Sequence, residues 1–266
     1  MILAYKRLGS GPPLIILHGL YGSGDNWYTV GKQLSERFEV YLIDQRNHGK
    51  SPHSNDHTYE SMQKDLLEFF ESHKIKKAIL MGHSMGGKTA MLFSYKYPGR
   101  VQKLIIVDIA PKEYKNLADY QSLALQHLNI LHAIKSIDLA KSLSRREIEK
   151  EFLGLVPDTA TGNFLLKNLK RFNNNKFKWI INLDAIGNFL PRMLDGLEII
   201  PDKSKIDFQT LFIKGENSNY IKEEDKLQIK ELFPGAEFVT IFNAGHMPHI
   251  EQQKSFIESV KFFLES

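Results

Sequence analysis

The 266-residue chain contains no cysteine, which removes disulfides, thiolate metal sites and a cysteine nucleophile in one step. Net charge is also scarce: 35 Lys and Arg against 31 Asp and Glu leave +4. No Lys/Arg run is dense enough to predict a nucleic-acid track. Nowhere does an apolar run approach the roughly 20 residues that a membrane span needs. The opening residues, MILAYKRLGSGPP, hold no apolar stretch between a basic start and a cleavage site. No signal peptide is therefore expected, and a soluble, cytoplasmic protein is the default expectation. Ordinary apolar and charged fractions of 42% and 25% exclude disordered and fibrous classes. What remains is a chain long enough for one large α/β domain, or for one with a sizeable insertion.

Short apolar runs rich in Ile, Leu and Val recur along the chain, and they predict strands at 13–19, 38–44, 76–82, 102–108, 209–215 and 237–243. Their continuous apolar character suits a parallel sheet covered by helices on both faces. MILAYKRLG reads as an extra edge strand. Helical patterns occupy about 60–73, 85–97, 223–233 and 252–265, and Pro98-Gly99 ends the second of them. This alternation predicts a doubly wound, mostly parallel sheet. From Pro111 to Ile206 no convincing strand occurs. LADYQSLALQHLNILHAI and SRREIEKEFLGL read as helices, with further helix at TGNFLLKNLKRF and KWIINLDAIGNFLPRML. So long an interval is not a bare loop. A core of residues 1–110 and 207–266 with a helical insertion at 111–206 is expected, the insertion lying between the strand ending at Asp108 and the one beginning near Gln209.

The stretch GHSMGGKT, residues 82–89, satisfies two motifs at once. As G-x-S-x-G it is a sharp strand-to-helix turn exposing Ser84 as a nucleophile. As G-x-x-x-x-G-K-[ST] it is a phosphate-cradling loop with Lys88 and Thr89 in their places, and KLIIVD ending at Asp108 then resembles a magnesium-holding strand. The nucleotide reading is the weaker. Two βα units precede the loop, and neither a guanine-reading N-K-x-D nor a recognisable finger residue follows. A serine hydrolase predicts further parts, which are present: His18-Gly19 at the mouth of an early strand, where the Leu20 amide could face the site, and His246 between the last strand and the last helix.

Together, LHGLYGSGDNW, DQRNHGKSP, GHSMGGK, VDIAP and NAGH resemble an α/β-hydrolase, specifically a YbfF-type serine esterase, over nearly the whole chain. RNHG and DIAP are more specific than the serine motif. The resemblance implies a cofactor-free, metal-free esterase or thioesterase with a cap over the sheet, Ser84 as nucleophile and His246 as base. The amides of Leu20 and Met85 would receive the oxyanion. Haloalkane dehalogenases and epoxide hydrolases place an aspartate where Ser84 stands. A C–C hydrolase or a non-catalytic binding module stays open, as do acyl length, leaving group and oligomeric state; the partner expected is a small acyl ester or thioester.

The commonest triad acid of this fold lies about three residues past a glycine, where this chain has Gly215 and then Ser218. A serine can orient a histidine but cannot offset imidazolium charge. Asp108 is the leading substitute, since its strand follows the nucleophile's and ends at the same sheet edge. Asp184 in the insertion is the runner-up, and Glu216 is a third choice. Among the other histidines, His249 could form an H-x-x-H pair with His246, but partner ligands at recognisable spacing are missing. His83 fills a free motif position, His18 reads as a brace for the oxyanion loop, and His48, His53 and His57 read as solvated. Arg46 and Asn47 read as turn-stabilising. Phe172, Phe177, Trp179 and Phe189 are candidates for an acyl pocket or for the insertion's own core.

Overall fold

The computed structural model describes residues 1–114, 118–141, 144–156, 158–172, 176–197 and 206–266. The chain opens with strands β1 (Tyr5–Leu8) and β2 (Pro13–Leu17), then helix α1 (Tyr28–Leu34). Strand β3 (Glu39–Ile43), helix α2 (Tyr59–Ser72), strand β4 (Ala78–His83), helix α3 (Met85–Lys96) and strand β5 (Val101–Val107) follow. Next come helices α4 (Ala118–Ser136), α5 (Arg145–Leu153) and α6 (Thr159–Leu166), strands β6 (Leu169–Phe172) and β7 (Lys176–Trp179), and helix α7 (Leu183–Met193). The chain closes with β8 (Gln209–Gly215), α8 (Asp225–Leu232), β9 (Ala236–Ile241), a short α9 (Pro248–Glu251) and α10 (Gln253–Glu265).

Seven strands form one sheet in the order β1-β3-β2-β4-β5-β8-β9. All neighbours pair in parallel except β1, which runs antiparallel to β3 at the edge. Alternation along each strand divides the core in two. Leu14, Ile16, Ile79, Met81, Ile105 and Val107 face Val30 and Leu34 of α1 and Phe256, Val260 and Phe263 of α10. Ile15, Leu17, Leu80, Leu104 and Ile106 face Leu66 and Phe70 of α2 and Met91 and Phe93 of α3. Burial of each such side chain contributes about 1.5–3 kcal/mol. Because both faces are covered, β2, β3, β4, β5 and β8 read as apolar runs, which is why they are legible in the sequence. Helix α1 is not. It is short, with Gly31 in its middle, and a Cβ there would lie 2.8 Å from Leu42 Cδ2, so close packing on β3 explains the glycine.

The segment between β5 and β8 corrects one expectation. Helix does not run through 161–172, nor does it begin at 178. After α6 the chain forms an antiparallel hairpin that pairs Leu169 with Trp179 and Phe172 with Lys176. Lys176 and Lys178 are exposed while Phe177 is buried, the period of two that defines a strand. The leucines at 165, 166 and 169 mask this change of period by extending a helical spacing beyond its true end.

Contacts with this segment explain Lys88. Its ammonium is fully buried and donates to the carbonyls of Lys112 and Met193, each at 3.4 Å, and to that of Asp195. The Tyr114 and Tyr59 rings lie 5.1 and 5.7 Å from it. A lysine spent on backbone carbonyls beneath α3 is not available to a phosphate, which removes the nucleotide reading of the loop. Asn182 donates from its backbone to the Asn47 carbonyl at 2.9 Å, and Asn168 Nδ2 to the Tyr21 carbonyl at 2.7 Å.

Two loops at the carboxyl edge are joined by histidines. His18 Nδ1 donates to the Gly19 carbonyl at 2.8 Å and Nε2 accepts the Gln45 amide at 3.0 Å. His48 repeats the pattern, with Nδ1 to the Arg46 carbonyl at 2.9 Å and Nε2 accepting the Tyr21 amide at 3.1 Å. Each ring is a neutral cross-link, because protonated Nε2 could not accept. Burial lowers their pKa values to about 4 for His18 and about 3 for His48. His57 is buried against Phe189, and burial lowers its pKa to about 2. The expected solvation of His48 and His57 is therefore wrong, while His53 is exposed. A polar sequence surrounds these rings, but Arg46, clamped bidentately on Asp65 at 2.6 and 2.9 Å, folds their loop inward.

Two outcomes are expected. The turn between β4 and α3 crowds both its glycines: a Cβ on Gly82 would overlap the Gly86 carbonyl, and one on Gly86 the Leu17 carbonyl. Gly86→Ala should destabilise the fold by about 3 kcal/mol or more, a clash with backbone being hard to relieve; a urea midpoint equal to wild type would contradict this. The histidines set the acid response. Their folded pKa values lie below the ordinary 6.5, so below about pH 6.5 the unfolded chain takes up protons that the folded chain refuses. Stability is complete above that pH and falls toward pH 4 by about 1.4 kcal/mol per pH unit for each such histidine. Urea titrations from neutral pH to about pH 5 should show this loss, and His48→Gln should make the fall shallower.

Candidate active site

Ser84 occupies the turn between β4 and α3 with φ 50° and ψ −117°. A positive φ outside glycine costs energy and persists only where the surroundings enforce it. Here the Ser84 amide donates to the Val107 carbonyl at 3.0 Å, and the Lys88 amide returns to the Ser84 carbonyl at 3.0 Å. The turn thus lifts the side chain clear of the sheet edge. The Met85 amide follows at the first position of α3, where N–H groups have no partner in a preceding turn. The loop after β2 presses on the serine from the other side: a Cβ on Gly19 would stand 3.3 Å from Ser84 Cβ. Leu20 is next in that loop, and the Gly22 amide closes it on the Gly19 carbonyl at 3.0 Å.

Asp108, directly after β5, also has positive φ, 51°, and its carboxylate is fully buried. Oδ1 accepts the Gly215 amide at 3.0 Å. Oδ2 accepts His246 Nδ1 at 2.8 Å and the Ser218 hydroxyl. Three donors replace the water that the carboxylate loses, which is the condition for keeping a charge buried. Ser218 is thus part of the network, at the place where the commonest pattern would put a carboxylate, and it donates to the carboxylate that follows β5. Asp184, by contrast, is an exposed residue of α7 paired with Lys135 at 2.7 Å. Glu216 accepts the Asn243 amide at 2.9 Å at the surface.

The His246 ring is stacked on Tyr220, with centroids 3.8 Å apart and planes at 17°. Tyr220 is itself held by its amide on Ser218 Oγ at 3.3 Å and by the Tyr114 hydroxyl on its carbonyl at 2.6 Å. Nothing in the sequence marked Tyr220, because the loop 216–221 carries no motif. Beneath His246, His83 Nε2 donates to the His246 carbonyl at 2.7 Å. His83 is buried beside His246 and His249, and this burial holds its pKa well below the usual value. His249 lies flat on Trp27, 4.0 Å between centroids and 4° between planes, with its pKa lowered to about 3 by burial. These two rings are packing and anchoring elements for the loop that carries His246.

Ser84 and His246 line one pocket of about 150 Å³. Leu20, Tyr21 and Tyr220 form its core side, and His127, Ile130, Phe164 and Leu165 of the inserted segment form the other. The four aromatic residues that were candidates for this pocket or for the insertion's own core do not line it. Phe172 is 40% exposed, Phe177 and Phe189 are buried in the core, and Trp179 packs on Phe152 with centroids 5.4 Å apart. Hairpin formation turns the first three aromatics away, and Phe164 supplies the aromatic wall instead.

Residues 12–253 match the family described as alpha/beta hydrolase fold. The chain is 37% identical over 266 residues to the sn-1-specific diacylglycerol lipase of Danio rerio, spanning 97% of this chain and 80% of that one. It is 29% identical over 252 residues to Esterase YbfF of Escherichia coli, across 95% of this chain and 92% of the relative. Among solved structures, an esterase from a marine microorganism superposes with a TM-score of 0.93 at 44% identity, covering 99% of both chains. A mostly parallel seven-stranded sheet, a serine on the turn after β4 and this similarity agree: the chain belongs to the alpha/beta hydrolase family, among its esterases and lipases.

Proposed function

We propose that this protein is a cofactor-free serine esterase acting on small to medium acyl esters and thioesters, with Ser84, His246 and Asp108 as its triad. The observation that carries the reading is the Asp108–His246 hydrogen bond of 2.8 Å beside a serine held at φ 50°. With Nδ1 donating to the carboxylate, Nε2 is the nitrogen left to take the serine proton. Ser84 Oγ attacks the carbonyl carbon and its proton passes to His246. The amides of Leu20 and Met85 receive the oxyanion, each donor contributing about 3–4 kcal/mol. His246 then protonates the departing alcohol or thiol, and water, deprotonated by the same ring, releases the acid from the acyl-enzyme. Asp108 keeps the tautomer and stabilises the imidazolium.

A pocket of about 150 Å³ supports a short or medium acyl group. The relatives named as esterases and as a diacylglycerol lipase support ester chemistry without fixing the alcohol. Residues 111–206 serve as the cap in this reading, since Ile130, Phe164 and Leu165 close the pocket from above.

A fluorophosphonate probe should label the wild type and leave Ser84→Ala unlabelled. Equal labelling of both would remove the nucleophile, and labelling of neither would favour a binding scaffold. The acid is tested by rate: Asp108→Asn should lower kcat by up to about 10⁴, because an amide leaves the wrong tautomer on His246. Asp184→Asn and Glu216→Gln should stay within about tenfold of wild type, about 1.4 kcal/mol in barrier. Circular dichroism on each variant separates chemistry from unfolding, and a deep loss confined to Asp184→Asn would overturn the assignment.

A further inference from the structure

A second cleft of about 540 Å³ opens between the β1–β3 edge of the sheet and the β6–β7 hairpin. Lys6 and Lys50 line it from the core, and Lys167 and Lys170 from the inserted segment. Its two carboxylates are already engaged. Asp25 pairs with Lys6 at 2.6 Å, and Asp44 accepts the Gly24 and Lys50 amides at 2.8 Å each. The Asp44 carboxylate also attracts the Lys50 ammonium, whereas among the described residues Lys167 and Lys170 have no carboxylate partner.

The hairpin side concentrates this charge. Residues 167–178 hold Lys167, Lys170, Arg171, Lys176 and Lys178 and not one acidic residue. Lys170 and Lys178 are cross-strand partners, and like charges directly opposite destabilise a strand pair. A chain with a net charge of only +4 has thus set four ammonium groups around one cavity, and those of Lys167 and Lys170 on the hairpin side are without a carboxylate. A multivalent anion between the walls would relieve both the repulsion and the missing partners. Lysine is well suited to this as a compact charge whose three donors can turn toward a tetrahedral anion.

We propose that this cleft is a phosphate-binding site, taking a ligand with at least one phosphate between the core lysines and Lys167 and Lys170. Its position bears on the serine pocket. Leu165 lines that pocket, Lys167 lines the cleft, and Asn168, the next residue, is bonded to the Tyr21 carbonyl at 2.7 Å. One short, anchored segment separates the two cavities, so a phosphate-bearing ligand in the cleft sits against the back of the loop that carries Leu20 and Tyr21.

Isothermal titration of pyrophosphate into the full chain tests the site directly. Saturable binding is expected, weakened about tenfold in the Lys167→Gln/Lys170→Gln double variant and also by added salt. Ser84→Ala should bind as wild type does; loss of binding there would place the anion in the serine pocket and overturn the proposal. Flotation with phosphatidylcholine vesicles, with and without phosphatidic acid, distinguishes the sources. Capture by acidic vesicles that is lost in the double variant assigns a lipid headgroup, and pyrophosphate binding without vesicle capture assigns a soluble phosphate ligand. No pyrophosphate binding, or equal binding by a double variant with wild-type melting, refutes the site.

Discussion

The carboxylate of Asp108 is the group around which the carboxyl edge of this sheet is arranged. It is fully buried and so requires donors, and each donor comes from a different piece of chain: the Gly215 amide at the end of β8, the Ser218 hydroxyl in the next loop, and His246 after β9. Losing any one leaves a buried charge short of a partner, which costs more than the lost bond alone is worth. The need to satisfy one oxygen pair thereby fixes the relative positions of three loops. Tyr220 adds a fourth constraint by stacking on the histidine ring while bonding the same Ser218.

A second set of constraints lies beneath and beside that group. His18 and His48 act as neutral bridges between the loops after β2 and β3, and His83 bridges the turn after β4 to the loop of His246. An imidazole can donate at one nitrogen and accept at the other, so His18 and His48 each satisfy two backbone groups that a hydroxyl or amide would satisfy less rigidly. The same feature makes the arrangement acid-sensitive, since protonation removes the acceptor. Lys88 performs the equivalent task on the other side of α3, giving its donors to carbonyls at the two ends of the inserted segment. Function at the edge therefore depends on polar groups buried well below it.

Much of this protein was legible before its structure. The strands buried on both faces announce themselves as apolar runs, and Gly82-x-Ser84-x-Gly86 predicts its turn because nothing larger than glycine fits beside the Gly86 and Leu17 carbonyls. His246 follows from its place after the last strand. These features are local: a few neighbouring residues carry the whole physical reason. The choice among Asp108, Asp184 and Glu216 is not local, because it depends on which carboxylate lies within a hydrogen bond of a ring 138 residues away from Asp108 in sequence. The hairpin at 169–179 was hidden for a related reason, since its alternation spans only a few residues and follows directly on a helical spacing.

Sequence by itself determined the succession of strands in the large sheet and the serine turn, which rest on spacing and on short-range crowding, and its motifs carried the resemblance to the family. Tertiary structure alone decided that Asp108 meets His246, that Ser218 supports this acid, that His48 and His57 are buried, and that Lys88 faces carbonyls. Each of those outcomes is a question of burial and of partners, and a buried polar group takes its partners from wherever the fold brings them, not from its neighbours in the chain.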